Sequence, residues 1–170
     1  MIYRPSQELI EYCEDALSRN NMGLRQDQQT NGKYKHQFAG LICENVVRKL
    51  TGYPYYDGAQ FDGGWDIVYN DLRTDIKGTL LYNKPTIVDQ FHVPEMQLKY
   101  NTQAYIFCAY VPKDNLVYTC GYIEKDIFLA TSKIVKRGQY HEEPNGKKYT
   151  ARYTSYYVIN DQLKQLSFNK

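Results

Sequence analysis

The sequence predicts an α/β domain with a mixed, largely antiparallel central sheet flanked by helices, and three observations support that fold class. Segments with a helical spacing of apolar residues alternate with short runs that are rich in aromatic and β-branched residues. Two pairs of these runs are joined by brief polar turns, as in antiparallel hairpins. The 170 residues contain neither repeats nor low-complexity tracts, so they fit one domain spanning 1–170.

The first half of the chain is predicted to form two helices and a hairpin. Ser6 follows Pro5 and can cap the first helix, while Gly52 provides a stop for the second. The segment between the helices is polar and contains glycines, which indicates a loop. In chain order the predicted elements are a helix over about 6–19, a loop over 20–35, a helix over 36–50 and a hairpin within 63–79.

The second half is predicted to form a further hairpin, one helix and a closing strand. The run AYIFCAYV indicates a buried strand, and PKDN forms the turn to its partner LVYTCGYI. In chain order the predicted elements are a strand at 91–93, a short helical stretch at 94–100, strands at 104–111 and 116–123, a helix at 124–135, a loop at 136–148, a strand at 149–159 and a helical turn near 162–166.

Charge and composition argue against several classes of protein. The formal net charge of +2 excludes a highly basic nucleic-acid coat but allows a local basic groove. The N-terminal segment carries acids and lacks the apolar centre of a signal peptide, and no run of about 18 apolar residues could span a membrane. The four isolated cysteines and three scattered histidines argue against disulfides and zinc. We therefore expect a cytoplasmic protein that does not enter a membrane.

The first hairpin is predicted to place charged side chains on one face. Asn70 and Asp71 suit a two-residue turn because both tolerate positive φ. With that turn Ile67 pairs with Thr74, and the next pair along is Asp66 with Asp75. Side chains alternate along each strand, so one face carries Asp66, Val68, Arg73, Asp75 and Lys77. The other face, which we expect to meet the core, carries Ile67, Tyr69, Leu72, Thr74 and Ile76.

Two facing carboxylates need a compensating charge. Their Cβ atoms would lie about 5 Å apart, where the repulsion is roughly 3 kcal/mol at an effective dielectric of about 20. A shared proton, a basic partner or a divalent cation could offset it, and oxygen ligands from two strands suit Mg²⁺ or Mn²⁺. The alternative is a solvated face on which Lys77 and Arg73 neutralise the acids. An acid-x-Lys triplet is too common by itself to decide between them.

Three acidic residues and a lysine follow one another in a particular order: Glu44 in the helical segment GLICENVV, Asp66 in GGWDIVY, and the triplet Asp75-Ile76-Lys77 on the next strand. This order resembles that of the PD-(D/E)XK nuclease superfamily. The resemblance covers about residues 36–111. Residues 112–170 would form a peripheral helix and strands. Trp65 stands where the family's motif has proline, and a Gln-x-x-x-Tyr element of the exonuclease-like branch is not matched.

The resemblance implies a restriction-endonuclease-like core and a metal-dependent nuclease that hydrolyses phosphodiester bonds in DNA. Lys77 would orient the attacking water and stabilise developing negative charge. The cofactor would be Mg²⁺ or Mn²⁺, and many members of the family act as homodimers. The implied catalytic residues are Asp66, Asp75, Lys77 and Glu44, and the implied metal ligands are Asp66, Asp75, Glu44 and the carbonyl of Ile76.

Other interpretations stay open. Glu44 has Arg48 four residues further on, which would pair a helix-surface acid with a base. A catalytically silent nuclease fold, used as a nucleic-acid-binding or assembly module, is one alternative, and a structural or protein-interaction domain is another. Restriction-type, resolvase and exonuclease activities are not distinguished, although the small size of the chain favours structure-selective cutting.

Basic residues around these acids are candidates for binding DNA. As a set beside a metal site they suit a phosphate groove, whereas any single one is more typical of a solvated surface. The 18 tyrosines are typical of packing on sheets, with base stacking as the alternative. The candidate nucleic-acid-binding residues are Lys33, Lys35, Lys84, Lys99, Lys136 and Arg137, with Lys133, Lys147 and Lys148 in the same late segment.

Overall fold

The computed structural model describes residues 1–19, 34–58 and 63–168 and shows a mixed α/β fold. The helices are α1 (Gln7–Arg19), α2 (Tyr34–Leu50) and α3 (Lys125–Thr131). The strands are β1 (Ile2–Tyr3), β2 (Ile67–Tyr69), β3 (Leu72–Leu80), β4 (Gln90–Pro94), β5 (Ala104–Val111), β6 (Leu116–Glu124), β7 (Lys133–Val135), β8 (Tyr140–Glu142), β9 (Lys148–Thr150) and β10 (Ser155–Ile159). Short 3₁₀ turns occupy Glu95–Gln97 and Asn160–Gln162.

Five strands form the central sheet in the order β1-β6-β5-β3-β2. Strands β3 and β5 run parallel, and the other neighbouring pairs of this sheet are antiparallel. The prediction of a mixed, largely antiparallel sheet is therefore confirmed for the part of the chain that the structure describes. The strands β4-β10-β7 form a second sheet, and β8 pairs with β9 in a separate hairpin.

The β2–β3 hairpin has the predicted turn and register. Asn70 and Asp71 adopt φ values of 49° and 62°, as a two-residue turn with left-handed residues at both centres requires. Ile67 pairs with Thr74, as predicted, and both side chains are buried. The turn residues therefore decide which side chains of β3 face the core.

Helices α1 and α2 cover one face of the central sheet. Helix α2 lies against β3 at Gly78, where an added Cβ would be 2.7 Å from the Ala39 carbonyl oxygen and 2.8 Å from the Gly40 Cα. A side chain at Gly78 would force the helix away from the strand, so this glycine permits the observed separation. Buried residues of this layer include Leu9, Ile42, Val46, Ile76 and Ile106.

The second sheet and α3 cover the opposite face. The rings of Phe91 and Phe107 stack there with their centroids 5.3 Å apart. Because side chains alternate along β3, Ile76 faces the helices whereas Asp75 and Lys77 face this second layer. Its buried core consists of Phe91, Val93, Tyr105, Phe107, Ile123, Phe128 and Val158.

The helices begin and end close to their predicted limits, except at the start of α2 and the end of α3. Ser6 Oγ accepts a hydrogen bond from the Leu9 N–H at 3.3 Å, which confirms the predicted cap of α1. Helix α2 begins at Tyr34 and not at residue 36, so Lys35 belongs to the helix. The rest of the predicted loop, residues 20–33, lies outside the described residues.

The predicted helix over 124–135 is wrong over its last four residues, 132–135. Helix α3 ends at Thr131, and β7 begins at Lys133 after the single residue Ser132. Ile134 and Val135 pair with β10, and Val135 is buried there. Two β-branched residues on a sheet edge thus favour strand pairing over a last helical turn.

The predicted loop over 136–148 contains strand β8 and the first residue of β9. The two strands pair through residues such as His141 with Tyr149, and Asn145 followed by Gly146, with φ of 85°, lies between them. Asn-Gly is a strong local signal for a hairpin. The predicted strand over 149–159 is therefore divided between β9 and β10. Strand β1 was not predicted, because two residues carry no periodic pattern.

Among the described residues, no helix is both long and apolar enough to cross a membrane. The four cysteines are free thiols, and three of them are buried. Burial raises the pKa of Cys13 to about 12 and the pKa of Cys43 well above its usual value. These thiols stay protonated at neutral pH and act as small apolar side chains.

Candidate active site and basic cleft

Lys77 and Asp75 form an ion pair on β3, with 2.5 Å between Nζ and Oδ2. The neutralisation of an acid by Lys77, which the alternative of a solvated face expected, is thus observed, but the Lys77 side chain is only 22% exposed and the Asp75 side chain 11%. Arg73, the other proposed neutralising base, instead donates from Nη2 to Asn101 Oδ1 at 2.8 Å. The basic partner that offsets Asp75 is therefore Lys77.

Asp66 lies at a local irregularity of the hairpin. The last residue pair of the β2–β3 ladder on this side is Ile67 with Thr74. The Asp66 N–H also donates a hydrogen bond to the Thr74 carbonyl at 2.9 Å. Two residues of one strand thus lie opposite one residue of the other, which is the pattern of a β-bulge. The predicted direct opposition of Asp66 and Asp75 is not part of the ladder.

The bulge redirects the Asp66 carboxylate. Its Oδ2 accepts a hydrogen bond from the Ile76 backbone N–H at 2.5 Å. Hydrogen bonds to the ionised form stabilise a carboxylate. The repulsion expected between the two aspartates is therefore reduced by different partners, a lysine for Asp75 and a backbone amide for Asp66.

Glu44 forms an ion pair with Arg48, whose Nε lies 2.8 Å from Glu44 Oε1. The alternative pairing at four residues' spacing is thus observed, but not at the helix surface. The two side chains are only 12% and 10% exposed, and the Arg48 guanidinium lies 5.1 Å from the centre of the Tyr56 ring.

The three carboxylates act together on the Lys77 ammonium. Burial tends to lower the pKa of Lys77, but Asp75, and then Asp66 and Glu44, raise it, and the net shift is upward. Lys77 therefore carries its full positive charge at neutral pH. Of the four predicted catalytic side chains, Asp75 and Lys77 are in direct contact, whereas Asp66 and Glu44 act on Lys77 through their charges.

Tyr105 is a further polar group beside this site. It pairs in register with Asp75 on the adjacent parallel strand, and it is fully buried. Burial and then Asp75 raise its pKa, so the phenol is protonated. Its hydroxyl has no hydrogen-bond partner among the described residues.

The donor set can be compared with the needs of the implied cation. Within residues 1–19, 34–58 and 63–168, no three or more His, Cys, Asp or Glu side chains are placed to hold a metal ion. The oxygens of Asp66, Asp75 and Glu44 are the hard ligands that Mg²⁺ and Mn²⁺ prefer. Their formal charge exceeds that of Lys77 and Arg48 by one unit, and this excess suits a cation. The chemical type of these ligands therefore fits Mg²⁺ or Mn²⁺. Their side chains are not arranged as a coordination shell.

Lys77 also lines a cleft of about 1230 Å³ between the end of β3 and the second sheet. Four of the lining residues are lysine or arginine: Lys77, Lys84, Lys147 and Arg152. The acid among the lining residues is Asp89, which is buried and accepts hydrogen bonds from Thr86 and Asn145. The accessible charge of the cleft is therefore positive.

The wall opposite Lys77 contains a buried polar cluster. His92 Nδ1 lies 3.1 Å from Ser155 Oγ, and its Nε2 lies 3.4 Å from the Tyr149 hydroxyl and 3.8 Å from Glu143 Oε1. Lys147 Nζ lies 3.1 Å from the same Glu143 oxygen. Burial, followed by Lys147 and His141, lowers the pKa of His92 to about 4, so its imidazole is neutral near pH 7.

The candidate DNA-binding residues are divided among several surfaces. Lys84 lines the cleft, and exposed Lys35 precedes His36, which also lines it. Arg137 lines a smaller depression that shares Arg152 with the cleft. Exposed Lys136 precedes Arg137 in the chain, Lys99 lies over the Tyr100 ring at 5.7 Å and outside the cleft lining, and Lys33 lies outside the described residues.

Sequence reasoning missed Arg152 and the aromatic residues Tyr82 and Tyr153, all of which line the cleft. Each occurs singly between strands, without a motif. They come together because β4 pairs with β10, and these strands are about sixty residues apart in the chain. Long-range pairing of this kind leaves no local signal.

No family model, curated protein or solved structure matches this chain. The resemblance to the PD-(D/E)XK superfamily stays a prediction, carried by the order of Glu44, Asp66, Asp75 and Lys77.

Proposed function

We propose that the protein is a metal-dependent nuclease that hydrolyses phosphodiester bonds in DNA. The observation that carries the proposal is a lysine ammonium that is paired with Asp75, and on which the charges of Asp66 and Glu44 also act, on the wall of a positively charged cleft. The acids supply ligands for a hard cation, and the cleft supplies attraction for a phosphate backbone. The residue order shared with the PD-(D/E)XK superfamily supports the same activity.

Each residue of the site has a role that follows from its chemistry. Lys77 lines the cleft and its ammonium is fixed by Asp75, so it can orient a water molecule and stabilise negative charge that develops on the phosphate. Asp66, Asp75 and Glu44 would hold Mg²⁺ or Mn²⁺. When bound, such an ion neutralises phosphate charge and makes water more acidic.

The alternative of a catalytically silent nucleic-acid-binding module is favoured by one observation. Glu44 is held by Arg48 in a buried ion pair, and an acid so engaged is less available as a metal ligand. In that case the cleft would bind nucleic acid without cleaving it. The two functions share a binding surface and differ in their response to metal.

The test is cleavage of linear, nicked, branched and single-stranded DNA in Mg²⁺, in Mn²⁺ and in EDTA. We expect cleavage with metal, and its loss in Asp66→Asn and Asp75→Asn. Asp114→Asn, at an exposed turn, is the matched control and should keep full activity. Absence of cleavage with both metals, or undiminished cleavage by both site variants, would contradict the proposal. DNA binding in EDTA then separates the silent module from a structural domain.

A further inference from the structure

The cleft carries an aromatic side chain that packing does not explain. Tyr82 follows β3 and is 76% exposed. It makes no ring contact with another residue in the described part of the chain. An exposed tyrosine lacks most of the free energy that burial of its ring would provide. The Tyr82 ring is therefore available to pack against a ligand.

A second exposed tyrosine and two exposed cations line the same cleft. Tyr153 is 39% exposed and follows Arg152, while Lys84 lies two residues after Tyr82. Lys84 and Arg152 are both exposed. The cleft lining thus contains two accessible aromatic rings, each close in sequence to an accessible cation.

We propose that the cleft binds single-stranded nucleic acid, with bases stacked on Tyr82 and Tyr153 and phosphates paired with Lys84 and Arg152. Positively charged grooves with stacking aromatic residues bind single strands because every unpaired base offers a π-face. Bases inside a duplex are already stacked on one another and cannot use these rings. This proposal deepens the proposed function by naming the class of substrate.

The dimensions and surroundings of the cleft fit a single strand. Its volume of about 1230 Å³ is slightly larger than the roughly 300–1,000 Å³ of a small-molecule site, which suits a few nucleotides of one strand. Lys77 lies on its wall, so a strand in the cleft would pass the proposed catalytic site. Beyond Arg152 the smaller depression adds Arg137, which extends the positive path.

The stacking part is tested by fluorescence anisotropy in EDTA, with a labelled 12-nucleotide single strand and a hairpin duplex of matched length. We expect the wild type to prefer the single strand, and Tyr82→Ala to weaken its binding about fivefold or more. Tyr82→Phe keeps the ring and should stay within about twofold of the wild type. Tyr140→Ala, at an exposed tyrosine outside the cleft, should have no effect.

The electrostatic part is tested by the salt dependence of the same binding. Lys84→Gln and Arg152→Gln should each reduce the log–log slope by about 0.7 for a lost phosphate contact on a single strand. Lys49→Gln removes an exposed charge outside the cleft and should leave the slope unchanged.

Equal affinity for duplex and single strand, or binding that is insensitive to Tyr82→Ala, would overturn the inference. Because no metal is present, these results do not depend on cleavage. Single-strand binding by a protein that cleaves nothing would support the inference and remove the nuclease. Cleavage of duplex DNA at an undiminished rate by Tyr82→Ala would support the nuclease and overturn the inference.

Discussion

Lys77 and His92 line the same cleft, yet their surroundings shift the pKa values of the two bases in opposite directions. Burial disfavours the charged form of both. Three carboxylates outweigh that effect at Lys77, whereas Lys147 and His141 add to it at His92. One wall therefore presents a fixed positive charge, and the other presents a neutral imidazole. The comparison teaches that neighbouring charges, and not burial alone, decide the ionisation of these buried bases.

The largest expected effect concerns the charged wall. Lys77→Ala should reduce DNA cleavage by about 10²–10³-fold, in line with the removal of one charge-stabilising group from an active site. The rise in melting temperature with Mg²⁺ should persist, because lysine is not a ligand of the ion. Single-turnover cleavage rates and thermal melts measure the two quantities. Cleavage near the wild-type rate would remove Lys77 from the chemistry, and Lys49→Ala, at an exposed lysine outside the cleft, serves as the control.

The next effect concerns the neutral wall in acid. The folded-state pKa of His92, about 4, lies below the unfolded value near 6.5, so the unfolded chain takes up the proton first. The resulting stability is fully present above pH 6.5 and is lost as the pH falls towards 4, by about 3 kcal/mol in total. Urea titrations between pH 7 and 4 measure this loss. His92→Gln should flatten that part of the curve relative to wild type, and a curve of unchanged steepness would mean that His92 does not cause the loss.

Asp75→Asn should destabilise the metal-free protein by about 1–3 kcal/mol. The variant leaves the largely buried Lys77 ammonium without its ion pair, and partial exposure keeps the cost below the roughly 3–5 kcal/mol of a fully buried pair. Thermal or urea unfolding in EDTA measures the change, with Asp114→Asn as the control. A variant more stable than wild type would mean that repulsion from Asp66 dominates over attraction to Lys77.

The smallest effect sharpens the contrast between the two bases. Lys147→Gln should raise the pKa of His92 by a fraction of a pH unit, because Lys147 opposes protonation of the imidazole. The shift is small since the Lys147 side chain is more than half exposed and its field is screened by water and salt. NMR titration of the His92 ring protons measures it. If the pKa of His92 did not change in Lys147→Gln, burial and His141 would be the causes of its low value.

Local chemistry predicted the hairpin and the acids that belong to it. Asn70 and Asp71 fix a two-residue turn, and the alternation of side chains then places Asp75 and Lys77 on one face. The position of Glu44 before these residues in the chain was also evident from the sequence. The bulge at Asp66 was not, because it depends on a backbone hydrogen bond from the Asp66 N–H to the Thr74 carbonyl, for which the sequence carries no signal.

The cleft could not be predicted, because its walls are assembled by distant pairing. Strand β4 joins β10, and that contact brings Tyr82 and Lys84 near Arg152. The failed helix over 124–135 has the same origin. Apolar spacing favours helix through Val135, and only the presence of β10 converts the last residues to a strand.

The parallel pairing of β3 with β5 has a consequence for the order in which the molecule folds. The connection between these strands, residues 81–103, carries β4 and one wall of the cleft. The β5–β6 hairpin closes over a four-residue turn and can form early, whereas β3 must wait for a long loop to close. We therefore expect β5–β6 to gain hydrogen-exchange protection first during refolding. Lys77 and Asp75 would then gain their surroundings among the last events, after most of the apolar surface is already buried.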